Sequence, residues 1–434
     1  MRSSPLGRPT AVVLAAVFIV SLAAFSYQMW LSPQRPGVYT ADGWYQYFDQ
    51  SQYLNEAEAL AKGQLPSAHS YRYGLGYPLL AAPLVKLGLG DPFSVPDALL
   101  FATSMVLVAA IGARLRSLTF GVVCAGAVIF ATPLLASTVV PWSSSVTLLA
   151  VLATVFISTR PSIRGWDAVI VGGCAGMAFA SRYADAVFPA LIGGVALARS
   201  ADRWRNLALA ALVGSVIVAG VLFTHDRVLG SPWRTPYESH LDPGDKGGSD
   251  QDLRAYKLSR VPSAFWEVFV TGNDDGKRQL EDPIGRTFPW AAAAPLGLFA
   301  LFRQRHELRR PMLVAAATSV AASAFYLSFR FTSGANLKFG LVHYFKAWFP
   351  VLALLAAYGL LWAFERLAKP WVQPAWPRSS EVHTPEQVGE QLDVTGAGAF
   401  EGEVLQAGAA RGHQRVAHPG VGDHGVDGGG NRGR

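Results

Sequence analysis

The sequence carries little charge for its length. Asp, Glu, Lys and Arg make up 15% of the 434 residues, while hydrophobic residues make up 51%. Soluble domains carry about 25% charged residues, and collagen-like, disulfide-rich and wholly disordered chains have different compositions again. The net charge of +7 does not indicate a nucleic-acid binder, because the arginines lie in short runs between apolar segments and not in one basic patch. The composition therefore excludes an ordinary soluble protein.

Cysteine and the common catalytic motifs are scarce as well. Cys124 and Cys174 both lie inside apolar stretches, form no CxxC motif and are interpreted as small buried hydrophobic residues. The chain has no G-x-x-x-x-G-K-[ST], no H-E-x-x-H and no G-x-S-x-G sequence. Nothing therefore indicates a P-loop ATPase, a zinc protease or a serine hydrolase.

Long apolar runs are what the chain has in quantity. A helix needs roughly 20 apolar residues to cross a bilayer. Ten runs approach this length, at about 10–31, 97–115, 117–137, 143–158, 166–181, 184–198, 205–223, 288–303, 312–329 and 344–364. The first run ends in Gln28-Met29-Trp30, which favours an uncleaved signal anchor over a cleaved signal peptide. The sequence predicts an all-α polytopic membrane protein with about ten transmembrane helices.

The basic residues predict how the chain is oriented. Lys and Arg are enriched in the cytoplasmic turns of membrane proteins. Here they follow every second apolar run, at Arg114, Arg116, Arg160, Arg164, Arg199, Arg203, Arg205, Arg303, Arg305, Arg309, Arg310, Arg366 and Lys369. We therefore expect a multi-pass protein of the cell membrane with a cytoplasmic N-terminus and C-terminal tail. Two long segments, about 32–96 and 224–287, then face outward.

Two further segments differ from the apolar runs. The piece from Tyr77 to Leu89 is too short to span and predicts an interfacial or re-entrant helix. The region 371–434 is rich in glycine and has no hydrophobic period. We expect one transmembrane domain over 1–370 and a disordered cytoplasmic tail over 371–434.

Three carboxylates recur in the first outer segment. Asp42, Asp49 and Glu56 are spaced by seven residues. On a helix this spacing drifts by only about 20° per step, so the three would share one face, bordered by Tyr45 and Tyr53. Gly43 weakens the first turn and leaves open that Asp42 precedes the helix. A solvated acidic surface is the alternative interpretation of such a stripe.

Four short motifs resemble one family of membrane enzymes. They are Phe48–Tyr53 (FDQSQY), Tyr73–Pro78 (YGLGYP), Ala178–Tyr183 (AFASRY) and His343–Pro350 (HYFKAWFP). Together with the arrangement of about 1–365, they are similar to the integral-membrane glycosyltransferases of the GT-C class. The closest likeness is to the protein O-mannosyltransferase-like and aminoarabinose transferase-like branch.

The resemblance implies a reaction and the residues for it. The donor would be a sugar on a polyprenyl phosphate, and the acceptor a hydroxyl of an extracytoplasmic lipid, glycan or protein. The implied catalytic residues are Asp49, as general base, and Asp42. The implied donor-phosphate ligands are Arg182, Lys346 and Arg72, and the implied substrate-binding residues are Tyr53, Tyr77, His343 and Tyr344. Family members often have an acidic residue where this chain has Gln50, which argues against a divalent metal held by two carboxylates here.

Two other functions remain open at this point. One is a polytopic transporter or lipid flippase, and the other is a non-catalytic envelope scaffold. Coupled transporters usually place ionisable residues in mid-membrane. Here Asp97, Arg182, Asp185 and Lys346 fall at the ends of the apolar runs. Convergence of Asp49, Arg182 and Lys346 would favour the enzyme, and scatter would favour the alternatives.

Overall fold

The computed structural model describes residues 8–32, 34–38, 40–46, 48–236, 257–271, 288–328 and 342–372. These residues are helical and include no β-strand. The α-helices are α1 (Arg8–Leu31), α2 (Phe48–Ala61), α3 (Gly76–Lys86), α4 (Ser94–Leu115), α5 (Leu118–Ile129), α6 (Thr132–Val139), α7 (Ser144–Ser158), α8 (Gly165–Ser181), α9 (Val187–Ala198), α10 (Arg203–Leu229), α11 (Val261–Phe265), α12 (Ala294–Arg303), α13 (Arg309–Leu327), α14 (Val342–Phe345) and α15 (Phe349–Val372).

Five of these helices are long and apolar enough to cross a membrane. They are Pro9–Leu31, Ser94–Leu115, Arg203–Leu229, Arg309–Leu327 and Phe349–Ala368. Four shorter apolar helices accompany them, at Leu118–Ile129, Ser144–Ser158, Gly165–Ser181 and Tyr183–Ala198. The expectation of an all-α protein with several membrane-crossing helices is confirmed, and five of the ten predicted runs reach the length of a span.

Several predicted boundaries were wrong. The run 117–137 is two helices, α5 and α6, because the chain leaves the helix at Phe130 and Ala131 and α6 restarts with a proline in its first turn. Helix α10 continues past 223 to Leu229, where Gly230 adopts a left-handed conformation (φ 74°) and ends it. The segment that was predicted to begin at about 224 therefore begins at Gly230.

The two long segments that are predicted to face outward are partly helical. The first contains a 3₁₀ helix at Gly43–Gln46, followed by α2 and α3. Helix α3 coincides with the short apolar piece that was predicted from Tyr77 to Leu89. In the second, the described residues 257–271 form a 3₁₀ turn, α11 and a π-helical turn. The remainder of that segment, at 237–256 and 272–287, lies outside the described residues.

The described residues all belong to one compact unit, which ends at Val372. Helix α15 ends at Val372, two residues beyond the predicted domain boundary at 370. The predicted disordered tail lies outside the described residues from position 373 onward.

Small residues allow the apolar helices to pack closely. A Cβ atom at Gly121 of α5 would collide with the backbone of Ala109 on α4. A Cβ at Gly172 of α8 would meet Ala210 of α10 in the same way. Close backbone approach through small residues is the usual basis of helix association in membranes, where lipid is as apolar as leucine.

The connection between α2 and α3 is held against the end of α8. A Cβ at Gly74 would collide with the backbone oxygen of Ala180, and one at Gly76 would clash with Ser181. This contact brings Tyr73, which precedes Gly74, between the start of α2 and the residue that follows α8, Arg182.

Candidate functional site

Asp49 lies in the first turn of α2, where a carboxylate interacts favourably with the helix dipole. Its Oδ1 accepts a short hydrogen bond from the Tyr73 hydroxyl. Burial raises the pKa of Asp49 above its ordinary value, while the Tyr73 hydrogen bond and the positive charge of Arg182 act to lower it. Asp49 is thus a shielded carboxylate in contact with a phenol and within electrostatic range of a guanidinium.

Glu56 lies two turns further along α2, on the same face. Its side chain is fully buried, and its Oε1 accepts hydrogen bonds from the backbone N–H groups of Arg72 (2.9 Å) and Tyr73 (3.0 Å). Burial raises the pKa of Glu56 to about 8, although both backbone hydrogen bonds act to lower it. Asp49 and Glu56 therefore hold the same short segment, one through the Tyr73 side chain and the other through its backbone.

Asp42 does not share this face. It is exposed and precedes the 3₁₀ helix, and its backbone oxygen accepts from the Tyr45 N–H at 2.9 Å. Gly43 has a φ of 53°, and its Cα lies against the backbone of 34–36. This left-handed residue turns the chain before α2 begins at Phe48, so the predicted stripe of three carboxylates is reduced to two. Tyr45 also points elsewhere, because its hydroxyl donates to Asp91 Oδ1 at 2.6 Å.

Arg182 is fixed at the end of α8 by charge and by aromatic rings. Its Nε lies 3.5 Å from Asp185 Oδ2, and its guanidinium lies over the rings of Tyr344 (4.8 Å) and Tyr326 (5.3 Å). Asp185 is itself buried and accepts from Thr147 Oγ1 at 2.5 Å and from the Tyr326 hydroxyl. An Arg held this firmly loses little further freedom when it binds an anion.

Lys346 is completely buried. Its Nζ donates to Ser145 Oγ at 3.0 Å and lies within electrostatic range of both Asp97 and Arg182. Asp97 is also buried and accepts from the Tyr77 hydroxyl at 2.7 Å. A buried ammonium group needs a negative charge nearby. The sequence analysis did not predict that Asp97 would supply it for Lys346.

The remaining predicted site residues make contacts with aromatic rings, a hydroxyl and a carboxylate. The Tyr53 hydroxyl lies 3.1 Å from Ser143 Oγ, and its ring contacts those of Tyr73 (5.0 Å) and Tyr77 (5.2 Å). The His343 ring stacks on Trp142 with centroids 3.9 Å apart. Arg72 is half-buried and enters the network through its backbone N–H, which Glu56 binds.

The contacts thus link most of the predicted site residues, whereas Asp42 lies apart and Arg72 takes part through its backbone N–H. We call Asp49, Tyr73, Arg182, Asp185, Tyr326 and Tyr344 the Asp49 cluster. Asp97, Asp185 and Tyr326 were not proposed from the sequence as site residues. Asp185 carried a usable signal, because it follows Arg182 by three residues beyond a helix end, whereas nothing local marks Tyr326.

Metal binding and relatives give no further assignment. Within the described ranges, no three His, Cys, Asp or Glu side chains are grouped so that they could hold a metal ion. No protein-family model, no curated protein and no solved structure matches this chain.

Proposed function

We propose that this protein transfers a sugar from a polyprenyl-phosphate donor to a hydroxyl of an extracytoplasmic lipid, glycan or protein. The observation that carries the proposal is the Asp49 cluster. It has a partly buried carboxylate within electrostatic range of a guanidinium that Asp185 and two tyrosines hold in place. The residues that the family resemblance had singled out for base and phosphate ligand, Asp49 and Arg182, are the ones that the fold brings together.

Asp49 supplies the base in this proposal. Its carboxylate takes the proton of the acceptor hydroxyl while the acceptor oxygen forms a bond to the anomeric carbon of the sugar. The bond from that carbon to the phosphate oxygen breaks, and its electron pair leaves with the polyprenyl phosphate. The proton on Asp49 then passes to solvent. A base of this kind must lie within hydrogen-bond reach of the proton that it removes.

Arg182 supplies the charge that the leaving group needs. As the glycosidic bond breaks, negative charge develops on the phosphate, and a guanidinium binds two phosphate oxygens at once. Lys346 adds positive charge nearby from within the protein, since it lies in electrostatic range of Arg182. The hydrogen bond from its Nζ to Ser145 Oγ holds it in place, so its role in the proposal is that of a fixed charge.

The proposal includes a topology. The five long helices α1, α4, α10, α13 and α15 would cross the cell membrane. The five apolar runs that contain the shorter helices α5, α7, α8, α9 and α12 would complete ten crossings together with their adjoining residues, with the N-terminus and the C-terminal tail in the cytoplasm. The alternating basic turns support this arrangement. It places the Asp49 cluster at the outer surface, where a lipid-linked donor presents its sugar.

The test is sugar transfer from a polyprenyl-phosphate donor in membranes that contain equal amounts of each variant. Asp49→Asn keeps the size of the side chain but cannot accept the proton, so turnover should fall by about 10²–10⁴-fold. Glu58→Gln changes a half-buried carboxylate on the same helix and serves as the matched control with unchanged turnover. If Asp49→Asn keeps more than about a third of wild-type turnover, the catalytic assignment is wrong.

A transporter or lipid flippase is the second candidate, and one observation favours it. Asp97 and Lys346 are both buried and interact electrostatically. Buried groups of opposite charge mark ion pathways in coupled transporters. In that case Asp97→Asn would abolish substrate movement across the membrane of proteoliposomes, and Asp49→Asn would leave it unchanged. Loss of sugar transfer in Asp49→Asn, with sugar transfer kept in Asp97→Asn, supports the transferase.

A further inference from the structure

Two carboxylates of helix α2 bind Tyr73, one at its side chain and the other at its backbone. Asp49 and Glu56 are seven residues apart and lie on the same face of the helix. Asp49 binds the Tyr73 hydroxyl, and Glu56 binds the Tyr73 N–H together with that of Arg72. The phenol that contacts the proposed base is therefore attached to a backbone that the second carboxylate of the same helix immobilises.

Glu56 is built to hold this backbone. Its Oε1 accepts both N–H groups, and its Oε2 has no hydrogen-bond partner among the described residues. Among the described residues, Tyr71 interacts electrostatically with Glu56, and Arg182 interacts electrostatically with Asp49. No part of Glu56 is exposed to solvent, so it does not present a group to a substrate.

We propose that Glu56 is a positioning residue for Asp49, which acts by fixing the Arg72–Tyr73 backbone and thereby the Tyr73 hydroxyl. Residues 62–75 connect α2 and α3 without regular helix, so side-chain contacts decide where Tyr73 lies. Gly74 anchors the connection to α8 from one side, and Glu56 anchors it to α2 from the other. The catalytic meaning of this arrangement rests on the proposed role of Asp49 as base.

The test follows the protonation of Asp49 and needs no substrate. A hydrophobic carbodiimide modifies carboxyl groups in their protonated form, and peptide mapping by mass spectrometry measures the labelling of Asp49 at each pH. The purified full-length protein in lipid nanodiscs is used. A hydrogen bond to the ionised form keeps a carboxylate charged at lower pH. Tyr73→Phe should therefore raise the labelling midpoint of Asp49 by about one pH unit.

Glu56 variants then show whether the effect passes through Tyr73. Glu56→Met is similar in size but accepts no hydrogen bond, and it should shift the Asp49 midpoint in the same direction as Tyr73→Phe. The double variant should shift it no further than Tyr73→Phe alone, because the two changes remove one interaction. Glu56→Gln keeps an oxygen that accepts both hydrogen bonds, so the labelling midpoint of Asp49 in this variant should equal that of the wild type. An unchanged midpoint in Glu56→Met, or additive shifts, would overturn the proposal.

A second measurement covers the case in which Glu56→Met does not fold. Hydrogen exchange of the Arg72 and Tyr73 amides is measured in the wild type and in Tyr73→Phe. Slow exchange of both amides in both proteins, together with the shifted Asp49 midpoint in Tyr73→Phe, supports the proposal. Exchange of either amide at the rate of an unstructured peptide in the wild type contradicts it. Since neither readout uses sugar transfer, failure of the proposed enzymatic function would leave this result unaffected and recognisable.

Discussion

At the scale of single residues, the surroundings of Asp49 act on its pKa in opposite directions. Burial raises its pKa, and the Tyr73 hydroxyl and the Arg182 guanidinium lower it. A general base works best when its pKa lies near the working pH, because it must be ionised and still bind a proton strongly. Burial alone would leave Asp49 protonated too often, and full exposure would leave it a weak base.

Arg182 gives the first prediction at this scale. Arg182→Lys keeps the charge but loses the bidentate geometry and the flat contact with Tyr326 and Tyr344. We expect kcat/KM for the polyprenyl-phosphate donor to fall by about 10–10²-fold. Arg160→Lys, which alters an arginine paired with Asp167 at the other end of the helices, is the control. Turnover within twofold of the wild type for Arg182→Lys would exclude it as a phosphate ligand.

Glu56 gives a prediction about stability and pH. Its folded-state pKa of about 8 lies above the ordinary value of 4.5, so the folded protein holds the proton more tightly than the unfolded chain. The stability from this proton is fully present below about pH 4.5 and is lost as the pH rises through 8. Glu56→Gln cannot ionise and should lack this loss.

The measurement is the unfolding temperature of both proteins in the same lipid nanodiscs from pH 5 to pH 9. The wild type should lose stability relative to Glu56→Gln across this range, by a few kcal/mol in all. A constant difference between the two proteins at every pH would show that Glu56 ionises normally in the folded state.

At the scale of helices, contacts through glycine decide how closely neighbours approach. Gly112 and Gly121 bring α4 and α5 together, and Gly297 and Gly359 do the same for α12 and α15, because a Cβ at any of them would enter the opposing helix. The helices of the bundle carry polar residues near their ends, and their middle turns are mostly apolar. Dispersion contacts and backbone proximity therefore hold them together in lipid.

Helix α5 offers a matched pair of glycines for a prediction. Gly121→Ala places a methyl group against the backbone of Ala109 and Ala113, whereas Gly126→Ala points into open space. We expect Gly121→Ala to destabilise the protein by about 1–3 kcal/mol through overpacking. Gly126→Ala should be neutral or stabilising by up to about 1 kcal/mol. Thermal unfolding in detergent, followed by size-exclusion chromatography, measures both; equal behaviour of the two variants would contradict the packing argument.

At the scale of the whole molecule, the two ends of the bundle differ in charge. The buried carboxylates of Asp97 and Asp185 lie at one end, near the start of α4 and the end of α8. The opposite ends of the same helices carry Arg116, paired with Glu365, and Arg160, paired with Asp167. An excess of arginine at one end is the pattern that orients helices toward the cytoplasm.

This asymmetry predicts the topology that the proposed function requires. A membrane-impermeant maleimide should label Ala68→Cys in intact cells, because this exposed residue lies between α2 and α3. Ser162→Cys, equally exposed in the turn between α7 and α8, should be labelled only after permeabilisation. The wild type, whose Cys124 is buried and Cys174 half-buried, gives the background. Labelling of Ser162→Cys in intact cells would reverse the proposed orientation.

Local properties of the sequence were sufficient to predict where most of the apolar helices lie. Hydropathy and length predicted the five helices that are long and apolar enough to cross a membrane, and the short apolar piece beginning at Tyr77 became α3. These features depend on neighbours within a few residues, because a helix satisfies its backbone hydrogen bonds internally and lipid or core contact requires only an apolar surface. Asp49 and Arg182 could also be proposed as site residues from local motifs.

Only the tertiary structure decided which side chains meet. Tyr326 donates to Asp185 across 141 positions of sequence, and Lys346 reaches Ser145 across 201. Asp42 left the predicted acidic stripe because Gly43 turns the chain, and Glu56 turned inward because Arg72 and Tyr73 offer it their N–H groups. Such partners depend on how distant helices pack and on which buried polar groups need one another, and neither follows from the spacing of residues within one segment.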